Sequence, residues 1–347
     1  MLLIRRHRLL LISFIFLAFI VTFRGKTRDT IVYKYVYENL EYMNLGSVSG
    51  FYSNSGMEIG YGYLSYIVSI LFDDYRVVFF IISFSILYCL YKVSLYLRIN
   101  IIVFFLVYIT NYYFVMQQFM QIRQGLSTAL VFYGALLFFN KKYYSSLGLF
   151  IIACLFHQTA FAFVFFFIGY LLTKSFFERY RGNLLVYISI IIGVILVCKS
   201  ILFIIPDYFV RVASYTDSDY SEVLSPFRLT SLRFYLLFIF FQIFLCFFFK
   251  NKPQDNLYKN ESLFLVFLLV TYAVGLGIRI GFNDFAILST RLSEFFLFAE
   301  IFLTSFIFSY KRTDIKFLIL FVLYLIAQIF ILVNQLDYVF IDYFKEI

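Results

Sequence analysis

The residue types that could do chemistry stand in four short clusters of an otherwise apolar chain. The first is QQFMQIRQGLSTAL at residues 117–130, where Arg123 lies among four glutamines. If this segment is one helix, Gln117, Gln121 and Gln124 form one stripe. Arg123 then points elsewhere, unless the chain turns there. An arginine among glutamines is more polarity than helix packing needs, which favours a functional site over a polar contact between helices.

The second cluster is LFHQTAF at residues 155–161, inside an aromatic and aliphatic run. Its His157 is the one histidine outside the N-terminal tail. A histidine titrates near neutral pH, so it suits a general base. A hydrogen-bonded packing residue explains the same position equally well.

The third cluster is GLGIRIGFNDF at residues 275–285, followed by TRLSEFF at residues 290–296. Arg279 lies between glycines, which let another backbone approach. Arg291 opens the next apolar run, and Glu294 follows one turn later. Their pairing would only anchor a helix end. Alternatively, the guanidinium groups face an anionic ligand.

The fourth cluster follows the first apolar run and reads FRGKTRDTIVYKYVYENLEYMN, residues 23–44. It contains Arg28, Asp29, Tyr33 and Tyr37. This segment is more basic and aromatic than a spacer needs to be, although a solvated tether is about as well supported.

The elements that position these clusters must be membrane helices. Of 347 residues, 63% are hydrophobic and 14% are charged, and the mean hydropathy is +0.89. Soluble domains average about 45–50% apolar and about 25% charged residues. Lipid must therefore cover much of the apolar surface. The apolar runs do not alternate as barrel strands would, which predicts an all-α, polytopic transmembrane helix bundle.

One membrane domain is predicted over residues 1–347, since no Pro/Gly/Ser-rich linker divides the chain. It should contain about 10–12 spans. The N-terminal run is expected to be a retained signal anchor, because no small-residue cleavage site follows it. The predicted spans lie at 9–23, 77–97, 100–117, 122–139, 143–156, 158–172, 184–205, 231–249, 261–280, 291–310 and 315–336.

Basic residues predict the orientation, because cytoplasmic loops carry an excess of Lys and Arg. A cytoplasmic N-terminus puts most basic loops inside and most acids outside, with outer loops near 24–60 and 206–230. The segment 60–72 must then not cross the membrane. The pair 143–156 and 158–172 is also short, and forms either two half-depth helices meeting at His157 or one long span.

Several other function classes fit poorly. The net charge of +9 is explained by loops that lie against the membrane face, so no nucleic-acid partner is expected. The sequence Asp217-Ser218-Asp219 is too short a match for a metal site, and no Walker loop, GxSxG or HExxH is present. No metal or cofactor is expected. The cysteines have no CxxC spacing and predict neither disulfides nor zinc: Cys89, Cys154, Cys198 and Cys246.

On this topology five arginines face the outer side, with a histidine near the same leaflet: Arg28, Arg123, Arg228, Arg279 and Arg291. Planar guanidinium groups suit phosphate recognition. We therefore expect an anionic, lipid-linked substrate at the outer interface.

Short motifs in a fixed order support this expectation. They are Arg24-Gly25 with Asp29 and Tyr33, then Glu58-Ile59-Gly60-Tyr61, Arg123-Gln124, Phe156-His157-Gln158-Thr159, and Arg291 before Phe295-Phe296. In this order, from about Arg24 to Phe296, the chain resembles the EpsG family of polysaccharide polymerases, which are related in role to the Wzy O-antigen polymerases. The usual alanine after Arg-Gln-x-x is Ser127 here, so the helix contact there should differ.

The resemblance implies a glycosyltransferase that uses no nucleotide donor. It would transfer a glycan from undecaprenyl diphosphate to a second lipid-linked repeat unit at the outer face of a bacterial plasma membrane, for capsule or lipopolysaccharide. A GT-C-like arrangement of helices is compatible with it. Arg123 and Arg291 would hold the diphosphate, and His157 or Asp29 would be the base. Substrate-binding candidates are Gln121, Gln124, Arg279, Arg28, Arg228 and Glu294.

The expected partners are membrane lipid, the undecaprenyl-diphosphate-linked oligosaccharide and a chain-length regulator protein. Three rival functions remain open: a flippase for lipid-linked oligosaccharides, an O-antigen ligase-like transferase, and a non-catalytic scaffold. A flippase should show duplicated halves, which the sequence lacks. A scaffold would not need arginine and histidine at membrane depth.

The predicted orientation can be tested by labelling single cysteines in a variant without the native ones. Cysteines at Lys142 and Lys252 should resist a membrane-impermeant thiol reagent in intact cells, while one at Ser218 should react. Labelling at Lys142 together with protection at Ser218 would reverse the orientation.

Overall fold

The computed structural model describes residues 2–27, 29–204, 229–251, 259–311 and 313–345, and every regular element within these ranges is helical. The first nine α-helices are α1 Leu2–Thr22, α2 Thr30–Glu38, α3 Val48–Ser55, α4 Ile59–Ser69, α5 Arg76–Tyr96, α6 Ile101–Ile109, α7 Tyr112–Val115, α8 Ile122–Phe139 and α9 Tyr143–Phe156. The others are α10 Thr159–Arg179, α11 Leu184–Ile204, α12 Leu229–Asn251, α13 Lys259–Gly281, α14 Ala286–Leu297, α15 Ala299–Tyr310 and α16 Ile315–Tyr343. A 3₁₀ turn spans Leu40–Tyr42, and a π-helical turn spans Met116–Met120.

The chain divides into two compact units. The first contains Met1–Val164 and Phe308–Ile347, and the second contains Phe165–Ile307. Each unit is described by itself below. The prediction of one membrane domain over residues 1–347 stays a prediction.

Eight described helices are long and apolar enough to cross a membrane: Arg76–Tyr96, Ile122–Phe139, Thr159–Arg179, Leu184–Leu202, Ser231–Phe249, Glu261–Gly281, Ala286–Tyr310 and Ile315–Asn334. A ninth candidate is a bent pair of helices, Ile101–Ile109 and Tyr112–Met120. The all-α, multi-pass prediction is confirmed. Of the other predicted spans, 143–156 forms a shorter apolar helix of 14 residues, Tyr143–Phe156.

The predicted span at 100–117 is not one straight helix. The axis bends by 73° between α6 and the helix that begins at Tyr112. Asn111 caps the start of the second helix, because its side-chain oxygen accepts a hydrogen bond from the backbone N–H of Tyr113 at 3.1 Å. Such N-cap bonds satisfy the amide groups that the first turn of a helix leaves unpaired. The apolar pattern continues across the break, which is why composition alone did not reveal it.

Of the two alternatives for the pair around His157, the structure shows two separate helices, but α10 is not a half-depth helix. That helix runs for 21 residues, Thr159–Arg179, which is long enough to cross a bilayer. The segment expected not to cross forms α4, Ile59–Ser69, with 11 residues. A helix of that length spans about 16 Å, roughly half of the hydrocarbon thickness.

Helices α8 and α9 form an antiparallel hairpin in the first unit. Two hydroxyl groups tie them together: Ser127 donates to the Ala153 carbonyl at 2.9 Å, and Ser146 donates to the Gly134 carbonyl at 2.8 Å. The serine that departs from the family pattern therefore makes a specific contact between helices. Helix α5 packs against α8, and α1 packs against α5.

Two glycines let backbones approach closely in the first unit. A Cβ at Gly60 would lie 2.6 Å from the carbonyl oxygen of Leu155, so α4 rests directly on the end of α9. A Cβ at Gly125 would lie 2.8 Å from the carbonyl oxygen of Gln117. Both contacts join segments that carry the polar motifs.

The second unit is organised around α13, whose residues are almost all buried. Its Gly277 and Gly281 meet Val194 and Cys198 of α11, as expected for glycines on both sides of Arg279. The Tyr272 hydroxyl donates to the Phe234 carbonyl at 3.0 Å, which ties α12 to α13.

Replacing Gly60 with alanine should destabilise the first unit. The new methyl group would collide with the backbone of Leu155, which cannot move as a flexible side chain does. Overpacking of this kind costs about 1–3 kcal/mol. The thermal midpoint of the purified protein in detergent should fall, whereas Gly148→Ala on α9, with nothing within 4 Å of its Cβ, should leave it unchanged or raise it. Equal midpoints for the two variants would contradict this packing.

Candidate functional site

The candidate site in the first unit is centred on Arg123, in the first turn of α8. One guanidinium nitrogen, Nη1, forms an ion pair with Oε2 of Glu58. The Nε group donates to the Tyr33 hydroxyl at 3.4 Å. The side chains of Arg123 and Glu58 are only 17% and 14% exposed. A largely buried ion pair of this kind is strengthened by the low local dielectric constant.

A break in the helix places Arg123 here. The π-helical turn Met116–Met120 ends at Gln121, whose backbone is non-helical at φ −90° and ψ 54°. Helix α8 then begins at Ile122. The segment is therefore not one helix, as a single stripe of Gln117, Gln121 and Gln124 required. The chain turns at Gln121, two residues before Arg123. Gln124 is buried, and its carbonyl accepts a hydrogen bond from Thr128.

Glu58 connects the arginine to the segment around His157. Its second oxygen, Oε1, accepts a hydrogen bond from the backbone N–H of Gln158 at 3.3 Å. Glu58 directly precedes α4, so the contact depends on the close approach that Gly60 allows. Three segments that are far apart in sequence thus meet at one carboxylate.

His157 is half-buried and ends α9 in an extended backbone conformation. Its Nδ1 atom is 2.7 Å from the Thr159 hydroxyl oxygen. A partner on Nδ1 orients the imidazole ring, which suits both a base and a packing residue. The geometry therefore fits His157 equally well as a general base and as a hydrogen-bonded packing residue.

The guanidinium of Arg24 lies 5.7 Å from the centre of the Tyr33 ring, and Arg24 is 1% exposed. Its Nη1 group donates to the Gln118 carbonyl at 3.0 Å, and its guanidinium lies 3.5 Å from the centre of the Phe79 ring. Burial lowers the pKa of Arg24 to about 10, so it stays charged at neutral pH. Burial also raises the pKa of Tyr33, whose hydroxyl therefore stays neutral as it accepts from Arg123.

Asp29 is close enough for its negative charge to affect this group electrostatically. Its carboxylate raises the pKa of both Arg24 and Tyr33, although burial has the larger effect on each. Asp29 also precedes α2, and its carbonyl accepts a hydrogen bond from the Tyr33 amide at 3.1 Å. Asp29 thus belongs to the same cluster as Tyr33.

The second unit contains the other candidate residues of the described chain. Arg279 is 8% exposed, and its guanidinium lies 4.8 Å from the centre of the Phe234 ring. Its carbonyl accepts a hydrogen bond from Ser289 at 2.7 Å. Arg291 is exposed in the middle of α14, which begins at Ala286 and not at Arg291 as predicted, and Glu294 is buried on the same helix.

The remaining candidates, Arg28 and Arg228, and the sequence Asp217-Ser218-Asp219 lie outside the described residues. Within the described ranges, no three His, Cys, Asp or Glu side chains are grouped so that they could hold a metal ion.

Sequence reasoning placed Tyr33 in the fourth cluster but gave it no role, and it did not select Arg24 and Glu58 as site residues. Glu58 and Arg123 are 65 positions apart, so no local pattern joins them. The one available signal was their place in the ordered motifs. Arg24-Gly25, Glu58-Ile59-Gly60-Tyr61, Arg123-Gln124 and the His157 motif meet in one unit.

This architecture and its buried cations define a multi-pass membrane protein with a polar site built from several helix ends. A model of the EpsG family matches residues 7–344, nearly the whole chain. The chain therefore belongs to the EpsG family, which supports a function like that of membrane polysaccharide polymerases. No curated protein and no solved structure gave a significant match to the chain.

The coupling between Glu58 and Arg123 can be measured with a double-mutant cycle. Glu58→Gln alone leaves the guanidinium charge without its carboxylate, and should lower the free energy of unfolding by about 3–5 kcal/mol. The double variant Glu58→Gln/Arg123→Gln should recover part of this loss. Titration of the purified protein with a denaturing detergent measures both.

The matched control is the Lys174–Glu178 pair on α10, which is about one-third exposed on both side chains. An exposed pair of this spacing contributes about 0.3–0.5 kcal/mol. A coupling energy between Glu58 and Arg123 that is no larger than that of the control pair would contradict a structural ion pair.

Proposed function

We propose that this chain polymerises oligosaccharide repeat units at the outer face of a bacterial plasma membrane. It would transfer a growing glycan from undecaprenyl diphosphate to the sugar of a second lipid-linked repeat unit, without a metal ion. Membership of the EpsG family supports the polymerase class. The observation that carries the reaction type is the cluster around Arg123, a largely buried guanidinium group held by Glu58 and Tyr33.

The leaving group explains why such a cluster would serve this reaction. The acceptor hydroxyl oxygen forms a bond to the anomeric carbon, and the bond from that carbon to the diphosphate oxygen breaks. The diphosphate leaves with the electron pair, so negative charge develops on it in the transition state. Fixed cations in a site of low dielectric constant stabilise that charge without reorganisation.

Arg123 is proposed to contribute such a cation. Its Nη1 and Nε groups are held by Glu58 and Tyr33. A guanidinium group has five N–H donors in a planar arrangement, so donors remain for a phosphate oxygen. Glu58 and Tyr33 would then position the arginine rather than react.

The proton of the acceptor hydroxyl needs a base. His157 is the first candidate because its segment is joined to Arg123 through Glu58. Asp29 is the second, since its charge acts on Arg24 and Tyr33. Both assignments are part of the proposal.

The other proposed contacts are to the substrate, to lipid and to a chain-length regulator. Arg291 would assist with the diphosphate, and the substrate-binding residues would be Gln121, Gln124, Arg279, Arg28, Arg228 and Glu294. Exposed apolar side chains such as Phe165, Leu172 and Ile243 would face lipid tails.

Replacing His157 with glutamine separates a base from a packing residue. Glutamine keeps much of the shape and hydrogen bonding but cannot accept the proton. Loss of a general base should slow polymer formation by about 10²–10⁴-fold at unchanged protein level. Radiolabelled polymer formed by membranes measures the rate. A near-normal rate would leave Asp29 as the leading base, and Asp29→Asn is the companion variant.

Deleting the gene tests the function. A polymerase acts after the repeat unit is built and moved across the membrane, so long surface chains should vanish while one-unit products persist. Gel electrophoresis of the surface glycan, with mass analysis of the lipid-linked pool, measures both. Long surface chains that persist without a second polymerase gene would contradict the proposal.

The same experiment distinguishes the rival functions. Loss of a flippase would trap lipid-linked units facing the cytoplasm, with no surface product. Loss of a ligase would leave long chains on undecaprenyl diphosphate. Loss of a scaffold would change the amount or the chain length without an all-or-none effect.

A further inference from the structure

A cavity beside Arg24 is not explained by the contacts of the Arg123 cluster. It has a volume of about 490 Å³ and lies within the first unit. Ligand sites commonly have volumes of about 300–1,000 Å³. Its described walls come from the end of α1 and the segment after it, the start of α5 and the end of α16.

The charge of this cavity is unbalanced. Arg24, Arg76 and Lys345 line it, and no carboxylate is among its described lining residues. Arg76 and Lys345 are 44% and 56% exposed, and each has a carboxylate neighbour outside the lining, Asp74 and Asp342. Arg24 is different because it is almost completely buried.

The guanidinium group of Arg24 has donors that the described protein does not use. Nη1 bonds to the Gln118 carbonyl, but neither Nε nor Nη2 has a hydrogen-bond partner in the described part of the chain. An unsatisfied buried donor is costly, and more so when it is charged. Because Arg24 lines the cavity, an anion bound there would lie beside this unsatisfied cation.

The end of α16, which forms one wall of the cavity, is held in place by two hydrogen bonds. The backbone N–H of Lys26 donates to the Asp342 carbonyl at 3.0 Å, and the Tyr343 hydroxyl donates to the Ile20 carbonyl at 3.0 Å. Gly25 has a positive φ of 54°, and a Cβ there would collide with the carbonyls of Asp342 and Tyr343. In the sequence Arg24-Gly25, a buried cation is thus followed by a glycine that lets the backbone at the end of α16 approach closely.

We infer that this cavity binds a phosphate or diphosphate group, at a site separate from the Arg123–Glu58 pair. Arg24 would donate from Nε and Nη2, while Arg76 and Lys345 would neutralise the remaining charge. Tyr75 and Phe79 would cover the group on its apolar side. Resting on the proposed function, the site would hold the diphosphate of one of the two lipid-linked substrates, and the Arg123 cluster would hold the other.

Binding by the full-length protein in detergent tests the site without any polymerase assay. The probes are inorganic diphosphate and geranylgeranyl diphosphate, in buffer without phosphate, with calorimetric titration. The double variant Arg76→Gln/Lys345→Gln should bind both probes about tenfold more weakly, since each exposed charge makes a modest contribution. Lys141→Gln/Lys142→Gln removes the same charge from an exposed loop and should bind like the wild type.

The two probes identify the source of the anion. Much tighter binding of geranylgeranyl diphosphate assigns a lipid headgroup, whereas equal affinities assign a free phosphate; both support the site. Absence of binding by the wild type, or equal weakening in the two double variants, would overturn it. A chain that binds these probes but makes no polymer would disprove the proposed function and leave the site intact.

Discussion

The structure of the first unit depends on supplying partners for guanidinium charges that are buried away from water. A charged group that loses its hydration costs several kcal/mol unless partners replace the water. The chain supplies a different set of partners for each arginine. Arg123 has the Glu58 carboxylate and the Tyr33 hydroxyl. Arg24 has a carbonyl and the face of Phe79, an arrangement that leaves two donors for another molecule.

The shape of the surrounding backbone follows from these needs. Glu58 reaches Arg123 because Gly60 lets α4 rest on the end of α9. Arg123 lies in a first helical turn because the chain breaks at Gln121 after a π-helical turn. π-Helical turns inside helices frequently mark functional sites, since the inserted residue redirects the side chains that follow. In this protein the redirected residue is the arginine that pairs with Glu58.

Composition predicted the class of fold, whereas the site was only partly accessible from sequence. Long apolar runs identify spans such as 184–205 and 261–280 because lipid requires them. The bend at Asn111 was missed because the residues on both sides of it are equally apolar. Arg123 and His157 were selected as polar residues within apolar runs, an unusual local feature. The pairing of Glu58 with Arg123 is a tertiary contact over 65 residues, and no periodicity encodes it.

The account rests on Arg123 acting as a guanidinium that stabilises a leaving diphosphate. The most direct test uses purified protein in vesicles that contain only the lipid-linked repeat unit, with released undecaprenyl diphosphate counted against glycosidic bonds formed. The wild type should form chains without any nucleotide sugar and release one diphosphate per bond. Arg123→Lys keeps the charge but loses the planar donors, and should slow the reaction about 10²–10³-fold in a folded protein. Wild-type rates from Arg123→Lys, or chain growth that requires a nucleotide sugar, would contradict the account.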